Sequence, residues 1–137
     1  MHVDGKCHCG YVTFEGEIDP DQVSICHCTD CQDISGSTFR VNVPVLAKDF
    51  KITAGKCAVY VKHTAESGKP RENAFCPKCG SALYAAPHSD KPESTIFMLR
   101  VGALAQRGQL PPKVQNWVRS AQAWTRDAFS IPKHEKM

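Results

Sequence analysis

"CPKCG", residues 76–80, is a metal knuckle. Two thiolates separated by two residues can grip one ion from a tight turn, and Gly80 is free to take positive φ just after it. The knuckle supplies half a tetrahedron, so its partner fixes how the chain is tied together. "CHCG", residues 7–10, places Cys7 and Cys9 at i and i+2, which on an extended strand face the same way and can supply the other half. Cys7, Cys9, Cys76 and Cys79 together predict a closed structural zinc site that ties an N-terminal strand to a late hairpin. The alternative is that Cys7 and Cys9 are simply buried thiols.

Three further cysteines stand in "CHCTDC", residues 26–31. Cys26 and Cys28 repeat the i, i+2 spacing, and Cys28 and Cys31 repeat the Cys-x-x-Cys step, so all three can face one ion. Three protein ligands with an open fourth position are the plan of catalytic zinc sites, whereas structural sites are closed. Spacing alone leaves open a closed site completed by Cys57, His27 or His63, or by water held with no chemistry. Cys57, in phase with Val59 and Val61 in "CAVYVKH", reads as a buried strand residue. His8 and His27 lie between cysteines and are expected on the strand face away from the metal, exposed to solvent or supporting the ligands.

The chain has 137 residues, the length of one domain, and residues 1–137 are expected to fold as such. Leu, Ile, Val and Phe make up only about a fifth of it, a thin apolar core that metal crosslinks would reinforce. Strand-like alternation runs through 11–18 and 38–45, the latter with Phe39, Val41, Val43 and Val45 on one face. Further strands are predicted near 57–63, 72–76, 81–86 and 94–101, separated by Pro and Gly breaks. Over 113–128, Val114, Trp117, Val118, Ala121 and Trp124 recur with helical spacing after Pro112, which predicts a short amphipathic C-terminal helix capping the core. A second role for its Trp side chains, as a wall of the triplet site, is the weaker expectation.

"GKCHCGYVTFEG", "CHCTDCQDISGSTF" and "FCPKCGSALY" resemble, in order and separation, the signature segments of the glutathione-dependent formaldehyde-activating enzyme family, which includes centromere protein V. The tail "VGALAQRGQLPPKVQNWVRSAQAW" is similar to that family's Gly-containing strand and Trp-bearing end. The resemblance implies a mostly β fold, a small antiparallel β-tent of packed sheets. It implies a structural zinc on Cys7, Cys9, Cys76 and Cys79 and a catalytic zinc on Cys26, Cys28 and Cys31. Cys57 has no counterpart among the family's ligands. The activity implied is a carbon-sulfur lyase reaction, the reversible condensation of glutathione with formaldehyde.

The residues themselves are compatible with that chemistry. An open zinc takes a soft sulfur ligand and holds it as thiolate, so a thiol such as glutathione suits the fourth position beside a small aldehyde. Three thiolates leave the site about one negative charge, which weakens its Lewis acidity and favours thiol delivery over hydrolysis. Arg40, Lys62, Lys69 and Arg71 lie in segments able to reach a pocket, though each also reads as an ordinary solvated charge. Ser35 or Ser37 is placed either to donate to a ligand sulfur or to serve the turn at Gly36.

The other function classes are weaker. The formal charge of +3 falls to about zero once seven ligand thiols are deprotonated around two divalent ions. Lys and Arg are scattered, without the basic stripe and stacking aromatics of a nucleic-acid groove. No run approaches the roughly 20 apolar residues of a membrane span. "MHVDGKCHCG" lacks the charged and apolar regions of an export signal, so a reducing cytoplasm is the expected setting. The class that competes with the enzyme is a non-catalytic zinc-stapled binding module, distinguished from it by what fills the triplet's fourth position.

Overall fold

The alternation expected over 38–45 is present as a strand at Arg40–Leu46, and its two faces have opposite characters. Val43 and Val45 are buried in an apolar core, while Arg40 and Asn42 are buried on the reverse face. The structure, a computed structural model, describes residues 1–137. Its ten strands are β1 (His2–Lys6), β2 (Thr13–Glu17), β3 (Ser24–Cys26), β4 (Arg40–Leu46), β5 (Phe50–Ala54), β6 (Ala58–Lys62), β7 (Arg71–Phe75), β8 (Ala82–Pro87), β9 (Ile96–Arg100) and β10 (Val114–Asn116). One α-helix, α1 (Thr29–Ser35), follows β3.

The strands form two sheets. The smaller has the order β1-β2-β5, and the larger the order β10-β3-β4-β9-β8-β7-β6. Neighbours are antiparallel throughout except for the parallel pair β10–β3. Pro44 falls where β4 is paired with β9 but β3 no longer reaches, an edge-like place for a residue without an N–H.

The core lies between the sheets. Val3, Val12 and Phe14 from the small-sheet side meet Val43, Val45, Leu83, Phe97 and Leu99 of the large sheet, all with little or no exposure. Phe14 and Phe50 on the small sheet and Tyr84 and Phe97 on the large one form a continuous aromatic cluster, with ring centroids 5.2 to 5.8 Å apart. Such pairs add about 0.5–1.5 kcal/mol each beyond the area they bury. This accounts for a stable sandwich with few aliphatic residues.

The helix expected over 113–128 is not formed. Residues 114–116 are strand β10, and beyond them the chain makes short 3₁₀ turns at Val118–Ser120, Ala123–Arg126 and Ala128–Ser130. Val114, Trp117, Val118 and Trp124 are all substantially exposed, so the apolar spacing marks no buried helical face. Pairing with β3 and the positive φ of Trp117 (58°) set the backbone instead.

Candidate metal centres and the adjoining cleft

The thiols of Cys7, Cys9, Cys76 and Cys79 converge, each within 4.8 Å of the others. The Sγ atoms of Cys7 and Cys9 are 3.6 Å apart and those of Cys9 and Cys76 3.8 Å. A tetrahedron of thiolates at about 2.3 Å from zinc has edges of about 3.8 Å, so the set fits the ion.

Cys7 and Cys9 occupy a turn just after β1, closed at Gly10 (φ 79°), rather than the extended strand expected from their spacing. The backbone N–H of Val12 donates to Cys7 Sγ at 3.2 Å, and that of Lys78 donates to Cys76 Sγ at 3.4 Å. Ser81, unmarked by any sequence motif, links the two knuckles. Its hydroxyl lies 3.2 Å from Cys79 Sγ and accepts from the His8 backbone N–H. The contact with Ser81, helped by backbone N–H groups, draws the Cys79 thiol down to about 5. His8 is exposed, as expected.

Cys26, Cys28 and Cys31 form a separate group with the same close spacing. Cys26 ends β3 and Cys28 is the N-cap of α1, its Sγ accepting from the Cys31 N–H at 3.4 Å. Cys31 stands in the first turn of that helix. The thiols share their protons unequally. The hydrogen bond from Cys31, assisted by the Cys28 backbone and Arg40, holds Cys26 down at about 5, and the same contact pushes Cys31 upward. Negative charge therefore accumulates where a cation would sit.

None of the three protein groups considered for a fourth ligand joins this set. Cys57 packs against the core, where burial and then the charges of Cys76 and Cys7 raise its pKa, so it belongs to the surroundings of the four-cysteine site. His63 is exposed and outside the group. His27 is buried, not solvent-facing. Its Nε2 lies 2.8 Å from Gln115 Oε1 and its ring packs edge-on against Phe39.

Gln32 ties α1 to the C-terminal segment. Its amide donates to the carbonyls of His27 (2.7 Å) and Ser120 (2.9 Å), and its Oε1 accepts from Gln122. Ser35 donates to the Cys31 carbonyl at 2.6 Å, and Gly36, at φ 63°, turns the chain out of the helix. Plain turn chemistry, not donation to a sulfur, is the role of Ser35.

The triplet borders a cleft of about 780 Å³. Its floor is the reverse face of the large sheet. Of the six buried polar residues, the five other than His27 line it: Ser24, Arg40, Asn42, Asn73 and Arg100. The register explains the convergence, since Cys26 pairs with Arg40, and Asn42 lies between Ser24 and Arg100 on its two neighbouring strands. Lys62 and Arg71 also reach the cleft, whereas Lys69 does not. Lys62 Nζ is 2.5 Å from Asp30 Oδ2, to which Thr64 donates as well.

Trp117 stands at the rim, so the expectation that a Trp walls the site holds for Trp117, while Trp124 lies outside the cleft lining. Arg119 lies over the Trp117 ring at 4.9 Å and pairs with Glu66. Arg100 and the two asparagines had no signal in local sequence. Their chemistry appears only once β7, β8 and β9 are laid beside β4.

A mostly β scaffold carrying one four-cysteine and one three-cysteine cluster, each able to hold zinc, defines a β protein with two candidate metal centres. The chain belongs to the glutathione-dependent formaldehyde-activating enzyme family, whose model matches residues 2–120. That span contains both clusters and every residue named above as lining the cleft. The fold is similar to the crystal structure of a Rhodobacter sphaeroides protein, a structural-genomics target, with a TM-score of 0.61 at 18% identity over 82% of this chain and 99% of that one. No curated protein matches the chain. No helix is long and apolar enough to cross a membrane.

Proposed function

We propose that residues 1–137 act as one domain, a zinc-dependent enzyme of the carbon-sulfur lyase type that reversibly condenses a thiol such as glutathione with formaldehyde or another small aldehyde. The supporting observation is the placement of the triplet: three convergent thiols beside a cleft, with Cys57, His27 and His63 all directed elsewhere. Family membership supports the choice of glutathione and formaldehyde. In this reading Cys7, Cys9, Cys76 and Cys79 hold a structural zinc, and Cys26, Cys28 and Cys31 hold the catalytic one. Zinc at the triplet would supply affinity for a fourth, soft sulfur and stabilise it as thiolate.

The chain's own groups do the rest. Arg40, the cross-strand neighbour of Cys26, favours the thiolate forms of Cys26 and Cys31 through its charge. Trp117 and the first turn of α1 border the cleft beside the triplet. In the condensation the substrate sulfur forms a bond to the carbonyl carbon, the C=O π bond opens, and the proton given up by the thiol ends on the carbonyl oxygen. The reverse step returns both reactants. A reducing compartment, the cytoplasm by preference, suits a protein whose eight thiols are all free of disulfides.

The test combines metal counting with the formation of S-hydroxymethyl adduct, followed by NMR from labelled formaldehyde and glutathione. Wild type is expected to hold two zinc ions and to accelerate adduct exchange. Cys28→Ser is expected to keep one ion and its fold but lose the acceleration. A fully metallated wild type without thiol-dependent turnover would favour the binding-module reading.

A further inference from the structure

The cleft is lined by five cationic side chains against two acids and the three thiols of the triplet. The acidic groups lining the cleft are Asp30 and Glu66, and both are engaged, with Lys62 and Arg119 respectively. Arg40, Arg71 and Arg100 remain without a carboxylate partner. Arg40 and Arg100 are each only 7% exposed. Buried charges are normally paired, because a guanidinium removed from water without an acceptor costs several kcal/mol.

The unpaired atoms have a definite shape. Arg100 is oriented by Asn42 Oδ1, which accepts from Nη1, and by Asn73 Oδ1, which accepts from Nη2 at 3.1 Å, leaving its Nε–H without a partner. Arg40 leaves both Nε and Nη2 unpaired, and these two lie on one edge of the guanidinium. Two parallel N–H groups on one edge form the fork that matches the two oxygens of a carboxylate. Asn73 Nδ2 is a further buried donor with no acceptor. These buried donors beside the triplet find no acceptor within the protein, and an acceptor-only ligand group would complete them.

We propose that this floor is a carboxylate subsite, in which the Arg40 fork, with Arg100 and Asn73 beside it, binds a carboxylate of the molecule that reacts at the triplet. The assignment rests on the proposed reaction for the identity of that molecule, and names its class: one reactant is an acid. Arg40 is the Cα partner of Cys26, so the fork lies one strand away from a thiol of the triplet. Burial and then the Arg40 charge draw the Arg100 pKa down to about 9, against the opposing charges of Cys31 and Cys26. Two sources share the chemistry. The carboxylate belongs either to the thiol, as in glutathione, or to the carbonyl partner, as in a 2-oxo acid.

Calorimetric titration of the metal-loaded protein with glutathione, with its diethyl ester and with glyoxylate, each alone, separates them. If the thiol brings the carboxylate, glutathione binds at least about tenfold more tightly than the ester, the scale of a charge-assisted hydrogen bond. If the carbonyl partner brings it, glutathione and ester bind alike and glyoxylate binds on its own. In either case Arg40→Lys, which keeps the charge beside Cys26 and Cys31 but removes the fork, is expected to retain two metal ions, to weaken the acid probe at least about tenfold and to leave the ester within twofold.

Equal binding of acid and ester together with no binding of glyoxylate overturns the subsite. So does an Arg40→Lys variant that weakens the ester as much as the acid. If Arg40→Lys does not fold, the wild-type comparison of acid with ester and glyoxylate decides. The adduct assay is independent: turnover without discrimination for acids removes the subsite alone, and discrimination for acids without turnover removes the proposed reaction alone.

Discussion

At Gly5 the fold depends on a missing atom. A Cβ there would stand 2.3 Å from Cζ of Phe14, its cross-strand partner, and 2.8 Å from the carbonyl oxygen of Ala103. Phe14 cannot yield, because it is 1% exposed and held in the aromatic cluster. Gly5→Ala is therefore expected to destabilise by about 1–3 kcal/mol or more, read as a lower urea midpoint at unchanged slope. A midpoint within error of wild type would mean that β1 can lift from β2 at no cost.

Asp30 gives a second prediction on this scale. The hydrogen bond from Lys62 outweighs partial burial and, with Thr64, holds the carboxyl below its ordinary value of 3.8. A depressed folded pKa contributes stability that is full above the unfolded carboxylate pKa and disappears as pH falls through the folded one. Asp30→Asn should thus lower the unfolding midpoint at pH 7, and the gap to wild type should shrink as pH falls below about 4. A gap constant down to pH 2 would show that the pair contributes through packing rather than charge.

On the scale of elements, what was legible in the sequence was what is local. The knuckle at 76–80, the alternation of 38–45 and the strands near 57–63, 72–76, 81–86 and 94–101 each announce themselves within a few residues, and all are present. Strand β5 escaped although Phe50 and Ile52 alternate with Lys51 and Thr53, while helix α1 gave no signal because its single aliphatic residue, Ile34, makes no apolar face. The C-terminal helix was misread for the opposite reason: a helical apolar spacing was present, but residues 114–116 find a better partner in β3. Arg40 and Arg71 looked like scattered charges because the register that gathers them with Arg100 is non-local.

Beyond the pairing of β10 with β3, Gln32 holds the C-terminal segment to α1 through Ser120 and Gln122, and it also bonds the His27 carbonyl. Gln32→Ala should release 118–122 from α1 and loosen the geometry of Cys28 and Cys31. The expected result is a loss of about 10–100-fold in affinity for one of the two metal ions, as for other groups that orient ligands, with the second ion unaffected. Competition with a graded series of chelators measures both constants. Equal weakening of the two ions would mean that Gln32 supports the whole sandwich rather than the triplet.

Across the whole molecule the proposed division into a structural and a catalytic zinc site predicts that the two clusters respond differently to removal of metal. The four-cysteine site joins Cys9 to Cys76, 67 positions away, and so fastens the turn after β1 to the hairpin between β7 and β8. A crosslink closing a loop of that length contributes about 4 kcal/mol through the chain entropy it removes from the unfolded state, a large part of the stability of a small domain. The triplet closes only the short span from β3 to α1 and offers three protein thiolates instead of four. Stepwise chelation should therefore remove the triplet's ion first, with the β-sheet circular dichroism and the near-ultraviolet signal of the aromatic cluster preserved. Loss of the second ion should coincide with loss of both signals. Cys76→Ser should reproduce the second state directly, holding at most the triplet's ion and unfolding at markedly lower temperature. Release of both ions in a single step that coincides with unfolding would show that the two sites are one cooperative unit, and the division into a structural and a working metal would fall with it.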